Sequence, residues 1–426
     1  MVSESRKAAY TALYRCFKSG AWSSKMLDGC ISDFNLDKRD GALASRLCIG
    51  VLQNFYLLDY YIDHFSGGKK LQSEVRIVLR MGAYQILFND RIPAHASVNE
   101  SVELCKATGA ARAAGLVNAV LRKLNSSLPD LPEIPGEGTS EYLSIKYSHP
   151  VWMVNRLIKE LGYEDTESFL IADNIEPLTD IQINTNLISA EDYAALLKAQ
   201  NIEYEAGEIQ NSFSIAHASI AALPGFEDGY FFVQDSAANF AVRMAEPVPG
   251  IKVLDCCSAP GGKSFAAAIL MQNEGSILSC DIHEKKLRLI KESAERMKLD
   301  IISTRSMDAS EYIPELDGQF DLVIADVPCS GIGVIAKKSE IRLKKEEDIK
   351  SLPDIQKKII SNVCRYVKIS GRLLYSTCTV FKEENENIIN HFLEEHKNFR
   401  LITGRKFIPG RDNTDGFFAA VLERTE

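Results

Sequence analysis

The sequence predicts an α/β protein in which a doubly wound sheet follows an all-helical domain. Three observations carry this. Residues 1 to about 127 show apolar stripes at helical spacing. From Gly229 onward, short apolar segments alternate with charged helical ones, the pattern of a sheet covered on both faces. A chain of 426 residues also exceeds the roughly 250–300 that one core supports, so more than one domain is expected.

In the first helix Ala9, Ala12, Leu13, Cys16 and Phe17 form an i, i+3, i+4 stripe. Further helices are expected over 40–53, Ser73–Phe88, 98–108 and 110–124. Ser97 and Glu100 have the spacing of a capping box at the start of the helix over 98–108. Pro129, Pro132, Pro135, Gly136 and Gly138 among polar neighbours mark 128–141 as a linker. A mixed segment, 142–226, should hold a helix near Val151–Leu161 and a strand near 180–185. Beyond it, 227–426 should form the sheet domain, with strands at 251–255, Ser276–Asp281, 301–306, Phe320–Asp326 and 371–377.

Composition removes several classes. Hydrophobic residues make up 46% and charged residues 25%, so a disordered or fibrous chain is excluded. The longest uninterrupted apolar run, from Phe265 to Met271, is far short of the ~20 residues of a membrane span, and the first residues lack the apolar run of a secretory signal. The ten cysteines contain no Cys-x-x-Cys pair and are expected to be reduced thiols of a cytoplasmic protein. A net charge of −9 argues against indiscriminate coating of nucleic acid, which needs a broad basic face. Local basic patches remain at Lys69-Lys70, at Arg112 with Arg122-Lys123, and from Lys337 to Lys345.

The most informative stretch runs from Leu254 to Ser264, a strand end followed by Cys256-Cys257-Ser258-Ala259-Pro260-Gly261-Gly262-Lys263 and a helix start. Its glycines let backbone amides approach a ligand. It is not a phosphate loop, because Cys257 stands where that motif needs its first glycine, and G-x-G-x-x-G is absent. Asp281 follows at the end of the next strand, where a carboxylate can hold ribose hydroxyls. The loop therefore suits a nucleoside ligand without a phosphate chain. Two later strands end in Asp326-Val327-Pro328-Cys329 and in Thr377-Cys378-Thr379. Ligands of open α/β sheets bind at the carboxyl ends of strands, so both cysteines should face the same crevice as the loop.

These residues resemble the RsmB/Sun type of bacterial RNA cytosine-5 methyltransferase over nearly the whole chain. Arg76 to Tyr84, Val98 to Val102 and Val117 to Arg122 resemble the NusB-type helical RNA-binding domain. Tyr147-Ser-His-Pro150, Gln234-Asp235-Ser236 and Asp415-Gly-Phe-Phe418 resemble signatures of the middle, entry and C-terminal segments. The resemblance implies a Rossmann-like methyltransferase domain that methylates a cytosine of 16S ribosomal RNA using S-adenosylmethionine. It implies that Cys257, Ser258, Ala259, Pro260, Gly261, Gly262, Lys263, Asp281, Asp308 and Asp326 line the cofactor and base pocket, that Cys378 is the nucleophile, and that Cys329 aids product release. Two positions depart from the family pattern: Gln182 stands where Arg is usual, and Ala336-Lys337-Lys338-Ser339-Glu340-Ile341 replaces a segment of two Arg, a polar residue and Pro-Asp-Ile. A monomer without metal or membrane is expected, and His149, His283 and His391 suggest no ligand cluster. A DNA-type enzyme, using the Pro-Cys cysteine as nucleophile, is disfavoured by the Thr-Cys turn and the helical domain.

Overall fold

The computed structural model describes residues 2–20, 23–89, 93–216 and 219–426. They divide into two compact units, Met1–Ile175 with Ile335–Glu346, and Glu176–Val334 with Glu347–Glu426.

The first unit is helical: α1 Glu4–Ser19, α2 Ser23–Asp33, α3 Lys38–Ser66, α4 Ser73–Phe88, α5 Ala94–Ala107, α6 Ala114–Ser126, α7 Ser140–Tyr147, α8 Val151–Leu161 and α9 Tyr163–Ala172. The expected stripe on α1 is buried at Ala9, Ala12, Leu13 and Cys16. Gly20, in the left-handed region with φ 62°, stops the helix. Asp37 caps α3, its side chain accepting from the Asp40 amide. The 29-residue α3 is long and apolar enough to cross a membrane by length and composition, and its inner face, including Leu47, Val51, Leu52 and Leu58, is part of the core of this unit.

Two expectations are corrected. Helix α3 continues to Ser66, beyond the expected end at 53. The acidic residues that interrupt its stripe are satisfied by α4: Arg80 is 2.6 Å from Asp59 and Arg76 is 2.8 Å from Asp63. Nor do Ser97 and Glu100 form a capping box. Helix α5 begins at Ala94 after Pro93, and the Ser97 hydroxyl lies inside it with no hydrogen-bond partner among the described residues. Pro is favoured at helix starts, so Pro93 is the stronger signal.

The stretch expected as one mixed segment is shared between the units. Helices α7 to α9 pack in the first. The second begins with β1 Thr179–Ile183, α10 Ala190–Ala199, β2 Glu205–Ala206, β3 Ser212–Ile215 and β4 Phe231–Val233, which form an antiparallel sheet of order β2-β3-β1-β4.

The larger sheet follows: α11 Ser236–Met244, β5 Lys252–Asp255, α12 Gly262–Leu270, β6 Ser276–Asp281, α13 Glu284–Arg296, β7 Ile302–Ser306, β8 Phe320–Asp326, α14 Leu352–Val363, β9 Val367–Thr377, α15 Glu386–Glu395, β10 Phe399–Phe407 and β11 Phe417–Arg424. Its order is β10-β11-β9-β8-β5-β6-β7. The five strands from β9 to β7 are parallel, and β11 and β10 add an antiparallel edge. Alternate side chains serve opposite faces. Val253, Leu322, Ile324 and Leu374 pack with Ala237, Ala241, Phe265 and Ile290 of α11, α12 and α13. Leu254, Val323, Ala325, Leu373 and Tyr375 pack with Ile359, Val363, Ile388 and Phe392 of α14 and α15. Both faces are thus covered, as the apolar runs predict.

Candidate active site

Chain order reverses between β5 and β8, the switch point where open α/β sheets form a crevice. Five neighbouring strand ends bring the predicted residues there: Cys378 after β9, Asp326 and Cys329 at β8, the 256–263 loop after β5, Asp281 closing β6, and Asp308 after β7.

The β5 loop is a tight turn. Ser258 donates its hydroxyl to the Cys280 carbonyl at 2.9 Å, and its amide does so at 2.8 Å. The Ala259–Pro260 peptide is cis. Gly261 sits at φ 112° and its missing Cβ would fall 2.4 Å from the Phe265 ring, so only glycine fits. The turn delivers the chain into α12 with the first amides of that helix at the crevice. Beneath it, Asp255 is fully buried and accepts from Ser264 at 2.8 Å, and Ser264 in turn meets Ser279 at 2.7 Å. Burial is the main reason that the Asp255 carboxyl is pushed up to about 7.

Two further carboxylates stand at adjacent strand ends. Asp281 accepts from the His283 amide at 2.8 Å and Asp308 from the Ser310 amide at 2.8 Å. The Ser310 hydrogen bonds hold Asp308 below the usual carboxylate range. Facing them, Asp326 is held by Lys263 at 2.7 Å and by the Ser376 hydroxyl at 2.8 Å. Lys263 also lies over the Phe417 ring at 5.0 Å from its centre, so one residue of the predicted C-terminal signature reaches the site.

Cys329 and Cys378 form no disulfide, and their sulfurs are 3.0 Å apart. The hydrogen bond to Cys378, then burial, push the Cys329 thiol well above its ordinary value. Cys257 is likewise pushed up, mainly by burial. The two cysteine turns are stitched together. The Gly333 amide donates to the Cys378 carbonyl at 3.1 Å, and the Gly416 amide to the Gly333 carbonyl at 2.7 Å. A Cβ at Gly333 would lie 1.8 Å from the Gly416 carbonyl oxygen, which explains the pairing of two glycines here.

Sequence reasoning missed the residues behind the thiols. Glu384 and Asn385 are buried and hold both turns, yet they sit in the polar run Lys382-Glu-Glu-Asn-Glu386, which reads as a solvated surface. Gln182, one of the departures from the family pattern, is buried in the small sheet and donates to the Gln234 carbonyl at 2.9 Å.

Comparison with known proteins gives the same picture. Residues 242–423 match the family described as 16S rRNA methyltransferase RsmB/F, residues 3–126 the NusB family, and residues 149–218 the RsmF/B-like ferredoxin-like domain. The chain is 32% identical over 441 residues to the probable ribosomal RNA small subunit methyltransferase B of Bacillus subtilis, covering 98% of each. It is 32% identical over 435 residues to the ribosomal RNA small subunit methyltransferase B of Vibrio cholerae, covering 98% of this chain and 97% of that one. Among solved structures, a methyltransferase homologue from Pyrococcus horikoshii is similar with TM-score 0.59 at 24% identity, covering 66% of this chain and 97% of that one, a likeness of fold.

Proposed function

The chain belongs to the RsmB/F family of S-adenosylmethionine-dependent 16S ribosomal RNA methyltransferases, and from that premise we propose that it methylates carbon 5 of a cytosine through a covalent adduct on Cys378. The observation that carries the reading is the pair of thiols 3.0 Å apart beside the Lys263–Asp326 pair.

The crevice suits the cofactor by its donor set: a glycine turn with no room for a side chain at Gly261, the first amides of α12, and the carboxylates of Asp281 and Asp308 for hydroxyl and amine groups. When bound, S-adenosylmethionine supplies an electrophilic methyl group. Carbon 5 of cytosine is a poor nucleophile until a thiolate adds to carbon 6. We assign that addition to Cys378. Asp326 accepts from the exocyclic amine of the base, and Lys263 and Ser376 hold its carboxylate in place. Cys329, kept protonated by its surroundings, can donate to the Cys378 sulfur and so favour its thiolate. Once carbon 5 carries the methyl group, a base takes the carbon-5 proton, the freed electron pair re-forms the double bond between carbons 5 and 6, and the bond to Cys378 breaks with its pair on sulfur, Cys329 being placed to aid release. The target base must be unstacked to enter. In this reading residues 1–127 and 142–226 contact the RNA and 227–426 carry the chemistry.

The two cysteines are separated by mutation. Cys378→Ser should abolish turnover and form no covalent RNA complex, because a hydroxyl is far less ionised than a thiol at neutral pH. Cys329→Ser should accumulate a protein–RNA complex that survives denaturing gel electrophoresis, more of it with S-adenosylmethionine present. A complex trapped by Cys378→Ser would instead assign the nucleophile to Cys329. Bisulfite sequencing of small-subunit RNA treated with the wild-type protein should show a protected cytosine, and its absence overturns the carbon-5 assignment.

A further inference from the structure

Glu384 and Asn385 follow Cys378 by six and seven residues and return behind it. The Glu384 side chain is 3% exposed and one of its oxygens accepts two bonds, from the Ser330 amide at 2.8 Å and from Gln356 Nε2 at 2.9 Å. Gln356 Nε2 also donates to the Pro328 carbonyl at 3.0 Å. The residues on either side of Cys329, Pro328 and Ser330, are therefore both tied to the Glu384–Gln356 pair. Asn385 does the same for the other thiol. Its Oδ1 accepts from the Thr377 hydroxyl at 2.5 Å and its Nδ2 donates to the Thr379 carbonyl at 2.9 Å, so it grips the residues on either side of Cys378. Tyr375 fixes the pair from β9, its hydroxyl donating to the Glu384 carbonyl at 2.6 Å. The turns also meet directly, Ser330 Oγ donating to Thr379 Oγ1 at 2.8 Å.

Burying a carboxylate and an amide is costly unless they are hydrogen-bonded. Three of their four side-chain bonds given above end on residues adjacent to a cysteine, and the fourth, to Gln356, leads on to Pro328. We propose that Glu384 and Asn385 are positioning residues that set the spacing of the Cys329 and Cys378 sulfurs for the methyl-transfer reaction. The inference rests on the two-thiol reading above. Neither residue touches substrate. They act by holding two loops from different strands at one separation, and a misplacement of about 1 Å in such a pair can reduce turnover on the order of a hundredfold.

The test reads thiol spacing and catalysis separately in the full-length protein. Dibromobimane, which becomes fluorescent on joining two nearby thiols, should bridge Cys329 to Cys378 in the wild type, as peptide mapping will show. Glu384→Leu leaves the Ser330 amide without its acceptor and Gln356 Nε2 with the Pro328 carbonyl alone, and Asn385→Asp turns an oxygen toward the Thr379 carbonyl. Both should lower the bridging yield severalfold and kcat on the order of a hundredfold, with S-adenosylmethionine affinity within about twofold of wild type because the cofactor loop lies on other strands. Glu384→Gln retains an oxygen for both donors and should keep most of the bridging and turnover. Wild-type bridging and kcat in Asn385→Asp, or a Glu384→Gln variant as impaired as Glu384→Leu, overturn the proposal, the latter by pointing to charge instead of position. Should Glu384→Leu fail to fold, Asn385→Asp and Glu384→Gln decide. A reversal of roles between the two cysteines would sink the mechanism and leave the bridging result untouched.

Discussion

Lys263 Nζ stands 2.7 Å from Asp326 Oδ2, across the switch point between β5 and β8. The lysine is 9% exposed and the carboxylate 33%. The second residue of α12 and the last residue of β8 are thereby joined across the crevice. The Phe417 ring under Lys263 leaves it little freedom to turn away. Lys263 on one oxygen and the Ser376 hydroxyl on the other hold the Asp326 carboxylate.

Removal of the cation should therefore impair the chemistry more than cofactor binding. Lys263→Met keeps a long unbranched side chain and removes the charge that lies against Asp326 and over the Phe417 ring. The expected outcome is a 10- to 100-fold fall in single-turnover rate, about 1.4–2.7 kcal/mol, with S-adenosylmethionine affinity by calorimetry reduced far less. An unchanged rate would detach the pair from the reaction.

Much of this crevice was legible because its parts are local. Strands Ser276–Asp281 and Phe320–Asp326 end where the apolar runs end, and Asp281, Cys329 and Cys378 were predicted from their places just there. The edge strands β10 and β11 were not predicted. Phe399–Phe407 is exposed along most of its length and carries no apolar run, and its pairing with β11 is a long-range event. Glu384 and Asn385 were missed for the same reason. Their polar run reads as surface, and only packing against β8, β9 and α14 buries it. Local pattern reveals where a strand delivers a side chain. It does not reveal which polar side chain from elsewhere will hold it.

Asp255 gives the fold a pH dependence of definite sign. Its value is about 7 in the folded protein, mainly through burial, against about 3.9 in an unfolded chain. Between about pH 4 and pH 7 the folded state holds a proton that the unfolded state has lost, so this group's contribution to stability falls as pH rises through that window and is level above it. The size is on the order of 4 kcal/mol. Asp255→Asn keeps an oxygen for Ser264 and cannot ionise. Wild type should lose stability to denaturant from pH 5 to pH 8 relative to this variant. Parallel profiles for the two proteins would show that Asp255 stays in one protonation state throughout.

The basic segment from Lys337 to Lys345 belongs to the helical unit, although it lies in sequence between two strands of the catalytic sheet. Arg342 anchors it. Its guanidinium is fully buried and donates to the Asp173 carbonyl at 3.1 Å and to Asn174 Oδ1 at 2.6 Å, and burial lowers it to about 10. Trp152 Nε1 donates to the Lys344 carbonyl at 3.1 Å, and Arg156 meets Glu346 at 3.4 Å. With its backbone pinned in this way, the segment displays Lys337, Lys338 and Lys345 outward, while Lys344 is half-buried. An acidic chain that binds RNA must do so through such local patches. Reversing the charge at Lys337, Lys338, Lys344 and Lys345 should weaken RNA binding at least tenfold at low salt. It should also flatten the plot of log affinity against log salt by up to about 3, roughly 0.7 for each phosphate of a single strand that is no longer neutralised. Affinity for S-adenosylmethionine should not move, because the segment lies outside the sheet unit that carries the proposed cofactor residues. An equal number of reversals at Lys285, Lys286, Lys291 and Lys298, on and just after α13, supplies the comparison for net charge alone. If both sets weaken binding to the same extent, the effect is one of overall charge and the segment is not part of the RNA interface.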